Sequence, residues 1–574
     1  MGLRAWFEEE GVGEGVRNFF RDTPEGRVER EEMLRGRGST DWDLLPKELQ
    51  VFKRMVQFKS GTGDTLEERE AMFGDVFREL SEEEWLGYWG KKSSRTSAGR
   101  TKVRPDMVKE CGKELLDFMR RLYSVFLRLG VIPEQWKWAI IVAIEKITGN
   151  SRLDMLRPLK LLEVCQKAVL SIVKERIKIV IEMAGLFFWA QMGFRPGRSC
   201  PLAVMKIVSA TEDAWQYNKD LHLVTLDIRK AYDCVIRTLG KEAGMRRIGI
   251  PLRVVEFFME MDRNNRNSVR TFWDEFLEGT VEAFEAQRGF AQGAAESPLL
   301  WDIFYDMVLE ELDRQGVGRD ILIDIGGACA GGQGLGAFAD DTSIMTGTVE
   351  EMQRALSVIA LVLDLVLLRV APEKSKHMAL MWNRDKKGEE GTMCGDELLE
   401  QGIAHRVELG GTRIPWVEAD VGVKHLGYWL DLHMDWGNQQ DRIEQMIREF
   451  TEKVKPAKIS KEILLYVVEA VLLPRVLYPL AVAGIRDDQI RKMEGRVLKW
   501  LLPKLGVHRT YSRDLLHSSI SVGGLGWESW TLKALKVRTR LALDLRGHQE
   551  TAVSTTSDGL RLGKFMITCQ AEYN

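Results

Sequence analysis

The run GAFADDTSIM, residues 336–345, constrains this chain most. Two β-prone halves meet at Asp340 and Asp341, which predicts a tight hairpin carrying adjacent carboxylates at its turn. Neighbouring negative charges repel, and a hard divalent cation is the usual reason to hold them together; a solvated turn is the plain alternative. A third carboxylate, Asp227, closes another β-like run, LHLVTLD. If the two strands lie side by side in one sheet, the three acids form an oxygen-only ligand set of the kind that suits magnesium, with manganese as the alternative ion, and two-metal phosphoryl transfer.

A chain of 574 residues with 45% hydrophobic and 29% charged residues reads as an ordinary folded protein with room for several compact units. Its net charge of −3 hides an uneven distribution, since residues 1–90 hold 13 Lys/Arg against 21 Asp/Glu. By contrast, Lys91, Lys92, Arg95, Arg100, Lys102, Arg104 and Lys109 face only Asp106 within 91–109. Such a run is a solvated stretch or a phosphate-contacting surface. The seven cysteines lack paired spacing, so neither a disulfide framework nor a zinc site is indicated. The start, MGLRAWFEEE, lacks the apolar core of a signal peptide, and the apolar stretch 355–370 is broken by Ser357 and Asp364. Together these point to an intracellular protein, nuclear or cytoplasmic, that is not secreted and has no membrane partner.

Apolar spacing predicts an amphipathic helix over 105–129, a strand over 136–146, helices over 157–184 and 200–217, and the strand that bears Asp227. Further helices are expected over 299–314 and 350–370, a polar Gly-rich loop over 383–400, and a helical tail from about 436. The whole reads as an α+β catalytic unit with an all-α appendage.

At this point the ordered motifs resemble a known family, the reverse transcriptases, in particular those of retrotransposons without long terminal repeats. WKWAIIVAIEK (136–146) and RPLKLLEVCQKAV (157–169) are similar to its finger segments, and QMGFRPGRSC (191–200) to its QxGFRxGRS element. LDIRKAYDCV (226–235) resembles the first catalytic motif, RGFAQGAAESPLLW (288–301) the RGxxQGxxxSP motif, and FADD the second catalytic motif. APEKSK (371–376) resembles the Lys-bearing motif and HLGYWLD (425–431) the primer-gripping hairpin.

The resemblance implies a right-hand polymerase, α+β, with fingers, a palm of antiparallel sheet plus helices, and a helical thumb. Residues 1–90 would be an N-terminal extension of unknown role, 91–435 the fingers and palm, 436–545 the thumb and 546–574 a tail. It implies that Asp227, Asp340 and Asp341 hold two Mg2+ ions and that Lys374 protonates the leaving pyrophosphate. Lys146, Arg157, Tyr232, Gln292 and Gly293 would bind the nucleotide, with Tyr232 as the ring that excludes a 2′-hydroxyl. Leu426 and Gly427 would bind the primer, and Arg491, Lys492, Arg496, Lys499 and Arg509 would face nucleic acid. The implied partners are an RNA template, a DNA primer and deoxynucleoside triphosphates; no protein partner is indicated. The chain departs from the pattern at Phe338, where tyrosine is commonest, and at Ala294-Ala295-Glu296, where the family has Asp-Pro-x. No endonuclease or Cys/His knuckle is apparent, so a polymerase module is expected. The rival expectations are a catalytically degenerate nucleic-acid-binding protein and an intron maturase.

Overall fold

The computed structural model describes residues 23–35, 47–59, 61, 63, 65–146, 149, 152, 156–270, 283–321, 323–325, 328–330, 333–383, 392–393, 395–403 and 406–547. The expected tail lies outside the described residues beyond Gly547, as do Cys394 and Cys569.

Helix starts follow local chemistry. Thr65 and Ser81 each stand three residues before a glutamate and close reciprocal capping boxes that open α3 (Leu66–Met72) and α4 (Glu82–Lys91), after α1 (Pro24–Leu34) and α2 (Lys47–Val56). The expected 105–129 helix is two: α5 (Pro105–Lys109) stops, and α6 (Lys113–Leu129) restarts after Gly112 and ends on Gly130 in the left-handed region. Gly112 interrupts because glycine is a poor helix interior and a tolerated cap. β1 (Trp138–Glu145) is the expected strand.

The helix expected over 157–184 is corrected at its start. Residues Leu156–Leu161 form β2, antiparallel to β1, and the helix α7 spans Val164–Met183. Pro158 is compatible with the strand because β2 is the edge of the order β2-β1-β4, where its missing N–H costs no ladder bond.

Helix α8 (Cys200–Gln216) starts on the Ser199 cap, and β3 (Leu221–Leu226) delivers Asp227 at its end. Then come α9 (Leu252–Glu260), β4 (Arg266–Arg270, parallel to β1) and α10 (Ser297–Arg314). β5 (Ile323–Ile325) and β6 (Ala328–Ala330) pair with each other. β7 (Leu335–Phe338) and β8 (Asp341–Thr346) form the expected hairpin. After α11 (Val349–Leu365) and β9 (Lys376–Leu380), the presumed loop 383–400 ends in a short helix, α12 (Gly395–Glu400). Two hairpins follow, β10–β11 (Glu408–Leu409 with Thr412–Arg413) and β12–β13 (Val423–His425 with Tyr428–Leu430). The tail is helical: α13 (Gly437–Val454), α14 (Lys461–Val467), α15 (Leu473–Leu480), α16 (Asp487–Lys504) and α17 (Trp530–Gly547).

The chain divides into two compact units that interleave in sequence. One comprises Met1–Phe194, Ile228–Gln315 and Val358–Val370; the other comprises Arg195–Asp227, Gly316–Ser357 and Ala371–Asn574. The described part of 1–90 is therefore no separate appendage to the first unit. Buried charge fastens it: Lys59 Nζ reaches both oxygens of Asp306 at 3.0 and 2.8 Å, beside Arg247 at 2.6 Å. Arg30 pairs with Glu242 at 2.8 Å, both buried, and Arg246 holds Glu31 and Glu70. Burial would raise the Asp306 carboxyl, but Lys59 and Arg247 outweigh it and hold it below the usual range.

The second unit carries the four-stranded antiparallel sheet in the order β7-β8-β3-β9 and a helical core. Ile443, Ile447, Leu464, Val468, Val476, Ile490, Val497, Leu501 and Trp530 fill that core. The buried Arg538 guanidinium donates to the carbonyls of Leu480, the last residue of α15, and of Ala483 and Ile485 in the turn that follows. Among the described residues one helical run, Lys461–Leu480, is long and apolar enough to cross a membrane by length and composition. Its Leu464, Val468, Leu472 and Val476 belong to the helical core.

Candidate active site

The site is built by strand register. β3 pairs antiparallel with β8 as far as Leu226 opposite Thr342, so Asp227 directly follows the last paired residue of β3 and Asp341 directly precedes that of β8. Antiparallel geometry puts facing Cα atoms within about 6 Å. On the other side β7 pairs with β8 down to Phe338 opposite Asp341, leaving Ala339 and Asp340 as a two-residue turn. Ala339 lies at φ +57°, a left-handed conformation uncommon for alanine. Such strain collects where a backbone must aim functional groups.

These carboxylates crowd one another. Asp341 keeps contact with solvent, yet the protein packed around it raises its carboxyl to about 6, first through desolvation and then through the charges of Asp340 and Asp227. Among the described residues no group of three or more His, Cys, Asp or Glu side chains is gathered tightly enough to hold an ion as it stands. The donor set nevertheless fits a hard cation, since all three are carboxylates and their mutual repulsion is what a bridging positive charge would relieve.

Asp227 is anchored through its backbone. Its N–H donates to Ser375 Oγ at 3.2 Å, and its carbonyl accepts from the Ala371 N–H at 2.8 Å. Those residues flank the turn that carries Lys374, so the Lys-bearing motif is fixed to the first catalytic motif while the Lys374 side chain stays exposed.

The β12–β13 hairpin turns on Leu426 (φ +49°) and Gly427 (φ +86°), the two left-handed positions of a primed two-residue turn. Tyr478 of α15 clasps it: its hydroxyl donates to the Leu426 carbonyl at 2.6 Å, and its ring would meet a Cβ at Gly427 at 3.0 Å. Tyr428 answers by donating to the Tyr478 carbonyl at 2.8 Å. The Cys200 thiol at the start of α8 bonds Tyr478 and feels the Asp341 charge; burial above all pushes that thiol up. Ser375, Tyr478, Cys200 and Ala339 were not singled out from the sequence. Only the helical spacing around Tyr478 hinted at its element, because partners 52 residues apart leave no local signal.

The remaining expected nucleotide contacts lie in the first unit. Lys146 and Arg157 are exposed, and the β1–β2 register places Arg157 opposite Ile144, two residues before Lys146, so both stand on one face of the hairpin. Tyr232 is half-buried and stacks on the fully buried Trp301, ring centroids 5.0 Å apart and planes at 17°. Gly293, at φ +104°, passes so close to β2 that a Cβ would lie 2.8 Å from the Lys160 carbonyl oxygen. The Gln292 carbonyl accepts from the Lys160 N–H at 2.7 Å, and its side-chain amide donates to Asp233 at 3.1 Å. Glu296, in the departing Ala-Ala-Glu stretch, is buried with one oxygen unpartnered, and burial raises its carboxyl.

Several basic residues expected to meet nucleic acid are already paired. Arg491 faces Asp487, Lys492 faces Asp488 and Arg496 faces Glu444, while Lys499 and Arg509 are exposed. In the 91–109 run Arg104 pairs with Asp106, and Arg100 lies 3.6 Å over the Trp138 ring.

An antiparallel sheet with carboxylates crowded at one end, inside a fold of mixed helices and sheets, is the plan of a nucleic-acid polymerase. Residues 145–430 match the family of reverse transcriptases (RNA-dependent DNA polymerases). The chain belongs with the reverse transcriptases of non-long-terminal-repeat retrotransposons. The retrovirus-related Pol polyprotein from type-1 retrotransposable element R2 of Nasonia vitripennis is 24% identical over 451 residues, covering 76% of this chain and 40% of the relative. The corresponding polyprotein of element R2DM of Drosophila melanogaster is 22% identical over 451 residues, 78% of this chain and 39% of the relative. The RNA-directed DNA polymerase from the mobile element jockey of Drosophila melanogaster is 24% identical over 406 residues, 67% and 40% respectively. The chain thus spans about 40% of the length of these relatives.

Proposed function

We propose that the chain is an RNA-directed DNA polymerase that extends a DNA primer on an RNA template, arranged as fingers, palm and thumb. The observation that supports this reading is the β3–β8 pairing, at whose end Asp341 feels the charges of Asp340 and Asp227. These three carboxylates would hold two divalent ions, magnesium by donor chemistry, and the bound ions would supply charge neutralisation at the primer 3′-hydroxyl and the α-phosphate. The chain's own residues do the rest. Lys146 and Arg157, on one hairpin face, suit the triphosphate as point and forked contacts. Tyr232, stacked on Trp301, would serve as the ring that excludes a 2′-hydroxyl and favours a deoxynucleotide. Gln292 and Gly293 fix the loop against β2 for close backbone approach to the nucleotide. Lys374, held near Asp227 by its turn, is positioned to give a proton to the departing pyrophosphate. The turn at Leu426 and Gly427 supports the primer end, and β1–β2–β4, the four-stranded sheet and the α13–α17 helices serve as fingers, palm and thumb.

Primer extension on poly(rA)/oligo(dT) with magnesium or manganese tests the reading. Wild type should incorporate deoxythymidylate, and Asp340→Ala should lose at least about a thousandfold in rate, as removal of a metal ligand demands. A wild type that binds template-primer without extending it would instead leave a catalytically silent nucleic-acid-binding protein. The buried Glu296 in the altered loop favours that second reading.

A further inference from the structure

Helix α6 (Lys113–Leu129) is apolar on two opposite faces. Ser124 and Leu127, with half-buried Leu116, Met119, Tyr123 and Phe126, point into its own unit. The outer face carries Leu115 (48% exposed), Phe118 (60%), Leu122 (36%), Val125 (36%) and Leu129 (65%). Their spacing is three, four, three, four, the repeat of a coiled-coil seam. A helix apolar all round is normally covered all round, and a continuous exposed stripe marks an association surface.

We propose that this stripe is a dimer seam, on which a second copy of the chain packs its own α6 antiparallel. Charge selects that occupant. In an antiparallel pair the residue preceding each first seam position faces its equivalent on the other helix, and here those positions are Glu114, Arg121 and Arg128, all exposed. When Leu115 meets Val125 and Phe118 meets Leu122 of the second copy, Glu114 comes opposite Arg128 of the second copy, twice by symmetry. Arg121 meets its own equivalent at the dyad, but each carries Asp117 at 2.7 Å, which offsets the repulsion. Shifting the pairing by one heptad one way sets Arg121 against Arg128 and removes the attraction; shifting it the other way keeps Glu114 against Arg121 but leaves only two seam layers, so charge and layer count together fix the register. A two-fold arrangement is self-complementary, as an isologous interface requires. Four seam layers make a small interface, so the dimer should dissociate readily on dilution.

Sedimentation equilibrium of the full chain over about two decades of micromolar concentration tests this. Wild type should follow a monomer–dimer equilibrium, and Phe118→Glu should be monomeric throughout with an unchanged thermal melt. Glu114→Arg and Arg128→Glu should each weaken the dimer by about tenfold. The double variant, or an equimolar mixture of the two single variants, should restore it. A monomeric wild type overturns the proposal. So does a dimer that survives Phe118→Glu, or charge reversals that do not compensate.

Discussion

The β3–β9 ladder hides a pair of histidines. His222 Nδ1 and His377 Nε2 lie 3.3 Å apart, the rings stack with Trp416 edge-on to His377, and the outward nitrogen of each has no partner. Burial pushes His222 down to about 4, with Glu351 opposing it weakly, and pushes His377 down to about 3 with help from its neighbour. Both rings are therefore neutral when folded but titrate near 6.5 when unfolded, so their contribution is complete above pH 6.5 and drains away as the pH falls toward 4. His377→Phe removes one such group. Between pH 7 and pH 5 its stability relative to wild type, read from urea unfolding at each pH, should improve by about 2 kcal/mol. A constant difference would show that His377 is not held neutral. At this scale Asp227, Asp340 and Asp341 were legible because motif and spacing encode them. Ser375, Tyr478 and the histidine pair were not, because each matters through a partner that only the fold supplies.

Among the elements, strands that end on a motif residue were readable and helix limits less so. The 335–346 hairpin follows from alternation around a turn, whereas β2 was mistaken for helix because its apolar residues continue into α7 without a break in hydrophobicity. The clasp of Tyr478 on the 426–427 turn is likewise a property of two elements together. Tyr478→Phe keeps the ring against Gly427 but removes the hydroxyl bond to Leu426, at a cost of about 1 kcal/mol. If that turn supports the primer end, KM for template-primer should rise several-fold while kcat at saturation stays within about twofold. An equal fall in both kcat and kcat/KM would assign Tyr478 to the chemical step instead.

Across the whole molecule, composition showed the acidic excess of residues 1–90 but not what its charges hold. Glu31 and Glu70 pair with Arg246, Arg30 with Glu242 and Lys59 with Asp306, partners that could not be seen in a linear reading. Lys59→Met should leave Asp306 with Arg247 and the Phe188 N–H and destabilise the first unit by about 2–4 kcal/mol, measured as a lower urea midpoint. A neutral outcome would mean Arg247 suffices. Because Arg491, Lys492 and Arg496 are already paired, few free cations remain on α16 to meet phosphate. Template-primer affinity should accordingly fall with salt on a shallow slope, a few phosphates' worth in a filter-binding titration.

The bond between Lys59 and Asp306 joins points 247 residues apart in sequence. During translation at about 5–20 residues per second, the early helices leave the ribosome roughly 10–50 s before their seat has been synthesised. The nascent segment must wait with its greasy side unclothed, which makes its maturation dependent on elongation speed and on holding chaperones.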